Sequence, residues 1–392
     1  MALQRIKNNL KKISFINAAN SFIKTLQQDK YMINDVENYK QLAKKNNIDI
    51  LDKKQVAIAL KERLENKNIF PTAKTKGNLN IFLLYSVSNW ESVLLSSLKN
   101  FGDLNVFDWK ERGFNVTDNK DPVLREKLNS ELLEEIKKQH SIVPIDILVG
   151  YFTNKAILPK TLKEISKLGI IIINFNLDDK LWFRNVKNLV PYIDLNLTNV
   201  PDCFVKYFAC GGLATFWPSG GEPSIHKPYD IAFKYDVSFI GKKYGWRPQF
   251  INKLKKQGIT IATFGSGWGN KYLTNEEVVK LYSESRINLG FGGIAHSKKL
   301  RCIKGRDFEV TMSGGLYLTQ HNPELALVYK VGEEILTYKD AIDCAKKIKY
   351  YLANPDEAEK IRLAGRKRAL KEHTWENRFK DIFLLLKILK NN

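Results

Sequence analysis

Cysteine and histidine are scarce in this chain, four of one and five of the other in 392 residues. Cys203, Cys210, Cys302 and Cys344 show no CxxC spacing and the histidines are not paired, which argues against zinc. Four thiols in a chain of this size do not make a disulfide framework either, so a reducing cytoplasm is expected. Long apolar runs are missing too. The basic start MALQRIKNNLKKISFINAANSFIKTL is interrupted by Asn17, Asn20 and Lys24. It therefore reads neither as a signal peptide nor as a span of about 20 apolar residues. Acidic residues are outnumbered, 42 against 63 basic ones, for a formal charge of +21. A surplus of that size favours phosphorylated ligands or anionic surfaces. It is spread along the chain, with 15 Lys/Arg and 7 Asp/Glu in residues 1–75. That spread argues against a dedicated nucleic-acid tail, and no specific nucleic acid is expected. Many of these lysines read as solvated helix faces.

The periodicity gives four parts. Residues 1–75 read as a basic helical extension, with Leu3, Ile6, Leu10, Ile13 and Ile16, and later Val56, Leu60 and Leu64, at helical spacing. Docking on the main body is the simplest role for it, and peripheral contact with an anionic membrane at the inner face is the alternative. At Leu79 the pattern changes to continuous apolar runs. Strands at 79–85, 104–109, 145–152 and after Gly169 alternate with helical stretches, which implies a doubly wound, Rossmann-like domain over 76–228. Ser88-x-x-Glu91 has the spacing of a capping box. The Pro/Gly-rich passage WPSGGEP reads as an inter-domain connection. A second Rossmann-like domain follows over 229–372, with strands VSFIG, ITIATF and INLGF. A C-terminal helix at 373–392, capped by Thr374, is expected to pack back on the N-terminal domain. The fold class is α/β, two Rossmann-like domains facing a central cleft with an N-terminal helical extension.

Candidate site residues lie at strand ends, where ligands of such folds bind. Asp178 and Asp179 follow the fourth strand and suit substrate contacts; a turn or capping role is an equal reading. Gly265 and Gly267, before Trp268, allow close backbone approach. The stretch RCIKGRDFEVTMSGGLYLTQ, 301–320, predicts a short helix over 305–313 stopped by Gly314 and Gly315. Its start, beside Lys304 and Arg306, reads as an anion site. Arg306 and Glu309 share a face, suited to a diphosphate and a sugar hydroxyl, or to a plain surface pair.

With these motifs in hand (VSFIG followed by Tyr244 and Arg247, then ITIATFGSGW, INLGF, KGRDFEVTMSGGLYLT and GEEILTYKDAIDCAKKIKYYLANPDEAEKIRLAGRKRALKEHTWENRF) the chain resembles the CgeB-like, group-1-like glycosyltransferases of the GT-B fold. The resemblance is strong over 236–379, weaker over 79–229, where NFNLDDK matches best, and absent from the first 70 residues. It implies transfer of a sugar, hexosyl in kind, from a nucleotide-diphosphate donor such as a UDP-sugar. The acceptor would be a glycan, a lipid-linked sugar or a protein. It also implies that Glu309 holds the ribose hydroxyls, that Arg247 with Lys304 or Arg306 neutralises the diphosphate, that Gly265 to Trp268 border the base, and that Gly314 and Gly315 let backbone amides face the phosphates or the sugar. The usual partner glutamate, eight positions upstream of Glu309, is here Arg301. No metal and no cofactor are expected, the nucleotide sugar being a substrate. If the anomeric centre inverts, the base is Asp178 or Asp179. A nucleotide-sugar epimerase or phosphorylase on the same fold, and a non-enzymatic binder of nucleic acid or anionic surfaces, are the alternatives.

Overall fold

The computed structural model describes residues 2–85, 93–115, 121–269 and 272–391, with side chains from residue 23 onward. The expected capping box at Ser88 and Glu91 lies outside the described residues. Two compact units emerge. One gathers residues 36–227, 303–313 and 366–392; the other gathers 1–35, 228–302 and 314–365. The stretch 1–75 is thus divided between them.

The first unit begins in α1 (Ala2–Lys45), and α2 (Lys53–Glu65) follows. Asp52 and Gln55 form a reciprocal capping box at the start of α2, and its Val56, Leu60 and Leu64 are buried on one face. The sheet consists of β1 (Leu79–Tyr85), β2 (Gly102–Asp108), β3 (Ile147–Tyr151), β4 (Ile171–Asn176), β5 (Leu195–Thr198) and β6 (Ala214–Phe216). All pairings are parallel, in the order β2-β1-β3-β4-β5-β6. Every residue of β1 and β4 is buried, as a continuous apolar run between two covering layers requires. The helices between strands are α3 (Val93–Lys99), α4 (Pro122–Ile142), α5 (Pro159–Lys167), α6 (Asp179–Trp182) and α7 (Phe204–Ala209). Strands β5 and β6 extend the sheet beyond the four strands read from the sequence. The WPSGGEP passage is packed: a Cβ on Gly220 would meet Trp375 N at 2.9 Å, and one on Gly221 would meet Met312 Sδ at 2.7 Å.

The second unit repeats the plan. Strands β7 (Tyr235–Ile240), β8 (Ala262–Phe264), β9 (Ser285–Leu289), β10 (Tyr317–Gln320) and β11 (Leu336–Tyr338) form a parallel sheet, ordered β11-β10-β9-β7-β8. Read from the other edge this is the order of the first five strands of the other sheet. Its helices are α8 (Arg247–Lys255), α9 (Asn275–Glu284) and α11 (Ala341–Ala353), while α10 (Arg306–Met312) lies with the first unit. After α12 (Pro355–Glu372), helix α13 (Trp375–Leu385) starts at Thr374, whose hydroxyl accepts from Asn377 N–H at 3.0 Å. Trp375, Phe379, Ile382 and Phe383 of α13 share one core with β1, β3 and α3.

Candidate functional site

In the β7–β11 unit the strand order reverses between β7 and β9, which makes the loops after those strands the crevice of such a sheet. Arg247 opens α8 directly after the β7 loop and is only 7% exposed. Its guanidinium stacks on Tyr244, 4.2 Å from the ring centroid, and lies 5.5 Å from Phe239 and from Phe291. Its Nη1 donates to Lys242 O at 3.0 Å. A cation in an aromatic box keeps its charge through the ring faces, so Arg247 supplies a fixed positive potential at the switch point.

Next to it, the β8 loop is built from backbone. Gly265 has φ +107, and a Cβ there would sit 2.9 Å from Gly241 O. Only glycine accepts both conditions without strain. Trp268 Nε1 donates to the same Gly241 O at 2.7 Å, and its ring meets Phe239 edge-on. Gly267 has φ +89 against Lys243 Cβ. The Lys243 ammonium lies 5.3 Å from the Trp268 ring centroid, and its backbone N–H donates to Ser266 O. Gly265, Gly267, Trp268 and Arg247 therefore form one cluster. Lys243 belongs to it and was missed in the sequence, although two lysines directly after a strand are a visible sign.

Gly314 and Gly315 are buried in the same unit. Gly314, at φ +74, gives its carbonyl to Arg362 Nη1 at 2.7 Å. Arg301 bridges Gly293, and its Nη1 donates to His321 O. The residue standing at the usual glutamate position thus anchors a loop to the end of β10. Burial lowers its pKa.

The remaining candidates lie in the β1–β6 unit. Asp178 adopts φ +59 and precedes α6 without capping it. Its Oδ1 is 2.7 Å from Lys304 Nζ. Asp179 points the other way and is fully buried. Thr198 Oγ1 and Tyr207 OH both donate to its Oδ2, and the ammonium of fully buried Lys206 donates to its main-chain carbonyl at 3.1 Å. Burial pushes its pKa up to about 6, against the pull of Thr198, Tyr207 and Lys206. In α10, Asp307 is buried and accepts from Lys304 N–H at 2.8 Å; burial raises its pKa to about 7. Arg306 and Glu309 are half-buried. Glu309 folds back over Gly305, where a Cβ would meet its Oε1 at 2.7 Å. Among the described residues none donates a hydrogen bond to that carboxylate. Its charge reaches buried His226, whose pKa is lowered by burial and partly restored by Glu309. His226 Nδ1 accepts from Glu222 N–H at 2.9 Å. His373 packs on Phe308 and meets Arg378 Nη2 at 2.8 Å.

Residues 247–383 match the family model described as Glycosyl transferase-like. That stretch contains every donor-side candidate from Arg247 to Gly315. No curated protein matches the chain. Among solved structures, HepE from Anabaena in complex with UDP and glucose is similar at 10% identity and a TM-score of 0.54, over 80% of this chain and 100% of that one. A glycosyltransferase from Rickettsia africae is similar at 12% identity and a TM-score of 0.56, over 80% and 100%. A putative UDP-N-acetylglucosamine 2-epimerase from Listeria monocytogenes is similar at 9% identity and a TM-score of 0.51, over 79% and 96%. At such identities the likeness carries the fold, which is the GT-B class: mixed α/β, two parallel Rossmann-like sheets and a helical N-terminal region. Among the described residues no helix is long and apolar enough to cross a membrane.

Proposed function

We propose that the chain is a CgeB-like glycosyltransferase that moves a hexosyl group from a nucleotide-diphosphate donor, a UDP-sugar, to an acceptor hydroxyl, without a metal. The carrying observation is Glu309, a half-buried carboxylate that takes no hydrogen bond from any described residue and lies over Gly305 beside two cations of its own segment, Lys304 and Arg306. A carboxylate so placed suits the two adjacent hydroxyls of a ribose. Arg306 and Lys304 would meet the diphosphate, where charge builds as the leaving group departs. In the β7–β11 unit, Trp268 on its glycine loop would border the base, and Arg247 would act through its potential and by shaping the 241–246 loop. Gly314 and Gly315 would shape the turn after α10. Of the two aspartates, Asp178 is the reading for the base because it is 29% exposed. Asp179 beneath it holds the turn through Thr198 and Tyr207.

A thermal-shift screen against nucleotide sugars tests this, since a donor bound to the folded state stabilises it by RT ln(1 + [L]/Kd). UDP-glucose or UDP-N-acetylglucosamine should raise the transition. Glu309→Ala should lose that rise while keeping its unliganded midpoint. An unchanged rise in Glu309→Ala would remove Glu309 from the site. The likeness to the epimerase supports a second reading on the same fold, and product analysis separates them: isomerised donor without acceptor would favour it.

A further inference from the structure

Lys304 and Asp178, to which the reading above gives opposite tasks, hold each other. The ammonium lies 2.7 Å from Asp178 Oδ1, joining positions 126 residues apart in the chain. The side chains are 18% and 29% exposed. At that depth the attraction exceeds that of a fully solvated pair, and a ligand still reaches both groups.

The surroundings fix this geometry. Asp178 is one of five non-glycine residues at positive φ among those described, and such strain persists only where the surroundings hold it. Its backbone N–H donates to Asn199 Oδ1 at 3.2 Å, and Asn199 Nδ2 donates to Ile303 O at 3.0 Å. Asn199 is 2% exposed. One buried amide therefore ties the turn that carries the carboxylate to the turn that carries the ammonium. The main chain of Lys304 is tied in turn to Asp307. The four-carbon stem of Lys304 can swing without moving either turn.

We propose that the Asp178–Lys304 pair, kept in register by Asn199, is a latch that makes the base available only when donor is bound. The diphosphate of the donor draws the Lys304 ammonium off Asp178. A diphosphate offers more charge and more acceptor oxygens than one carboxylate, so the competition favours it. With the Lys304 ammonium drawn away, Asp178 binds a proton more readily than it does in the pair. During transfer the acceptor hydroxyl gives its proton to Asp178, and its oxygen bonds to the anomeric carbon. The bond from that carbon to the diphosphate oxygen breaks, and its electron pair leaves with the nucleoside diphosphate, neutralised by Lys304. Asn199 is the positioning residue of this arrangement. The inference rests on the glycosyltransferase reading and adds an order of events to it.

Isothermal titration calorimetry of the full chain with UDP, and with inorganic pyrophosphate, tests the latch. Asp178→Asn keeps the side-chain shape and removes the competing charge. It should bind both probes roughly two- to tenfold more tightly than the wild type, while losing transfer. Lys304→Ala should weaken binding, and in the Lys304→Ala/Asp178→Asn double variant the gain should vanish. Asp178→Ser should show the same gain if Asp178→Asn folds poorly. Wild-type binding with no gain in either Asp178 variant, or a gain that survives without Lys304, overturns the latch and leaves the glycosyltransferase reading intact. Absence of UDP binding in the wild type and all variants overturns both.

Discussion

The two sheets share a strand order but build their C-terminal edges from different materials. The β7–β11 unit uses backbone and aromatic rings: Gly265 and Gly267 at positive φ, Trp268 bonded to a carbonyl, Arg247 among Tyr244, Phe239 and Phe291. The β1–β6 unit uses buried polar side chains. Asn174, Asn176, Asp179, Thr198, Asn199 and Lys206 are all buried there and hydrogen-bonded. A glycine edge leaves room for a ligand to approach the chain. A network edge spends its room on holding a few groups at fixed angles. The first suits the approach of a flat ring, the second the placement of one carboxylate and the cation that it holds.

The largest expected effect breaks the network edge at its centre. Asp179→Ala takes the acceptor from Thr198 and Tyr207 and leaves the Lys206 bond to the main-chain carbonyl in place. Two buried hydroxyls left without their acceptor cost about 2–5 kcal/mol together. Asp179→Asn keeps an oxygen for both hydroxyls and should lose clearly less. Urea unfolding of the two variants measures the gap. Transfer that persists in Asp179→Asn would also leave Asp178 as the base.

Gly265→Val attacks the other edge. The new side chain would demand φ +107 and press on Gly241 backbone atoms at 2.9, 3.0 and 3.3 Å. The cost should be roughly 2–4 kcal/mol, together with loss of UDP binding. Gly269→Ala is the control: φ is +85, but beyond its chain neighbours no atom of the described residues lies within 4 Å of the new Cβ. It should cost about 1 kcal/mol and leave binding alone. Equal losses at the two glycines would mean that backbone conformation, and not close approach, sets the edge.

These contrasts were unevenly legible in the sequence. Strands β1, β3 and β4 announce themselves as apolar runs, because a central parallel strand is covered on both faces. Strands β5 and β6 do not. Their polar residues Asn196, Thr198 and Thr215 are buried, and Asn196 Nδ2 donates to Leu213 O and Thr198 Oγ1 to Asp179, partners that no local pattern reveals. The glycines and Trp268 of the other edge were readable, since a loop glycine carries its own conformational reason. Arg247 was readable as a cation, but its burial depends on rings from three separate segments. Asp178 and Asp179 stood out as a pair at a strand end. Which of them faces inward depends on the left-handed turn at Asp178, and that turn is held by Asn199 and Lys304 from distant positions. A single buried amide leaves no trace in periodicity, so Asn199 was invisible.

The pH dependence is a smaller effect, and it separates a buried carboxyl from a buried imidazole. Burial raises Asp307 to about 7 and Asp179 to about 6, above 3.8 for an exposed carboxyl. The folded state therefore holds these protons more tightly than the unfolded chain. Their contribution to stability is full below pH 4 and is lost as pH rises through about 6 and about 7. His226 works in the opposite sense: its lowered pKa costs stability as pH falls through 6.5. The window to use is pH 6.5 to 8, where Asp307 makes the largest change and His226 a smaller one of opposite sign. There the wild-type unfolding free energy should fall, by about 1 kcal/mol, while that of Asp307→Asn should not fall. An unfolding free energy that rises across this window in the wild type would contradict the burial of Asp307.

The smallest effect lies where the units cease to differ. Lys160 pairs with Glu126 at 2.6 Å in one, and Lys280 with Glu276 at 2.6 Å in the other, all four side chains at least 44% exposed. Solvated pairs gain little, because water screens the charges and two long side chains must be held in one geometry. Lys160→Ala and Lys280→Ala should each move the melting temperature by less than about 1 °C, and equally little in both units. The +21 charge would then act on what approaches the molecule and not on its fold. A loss of several degrees in one variant and none in the other would show that the difference between the units reaches beyond their strand ends.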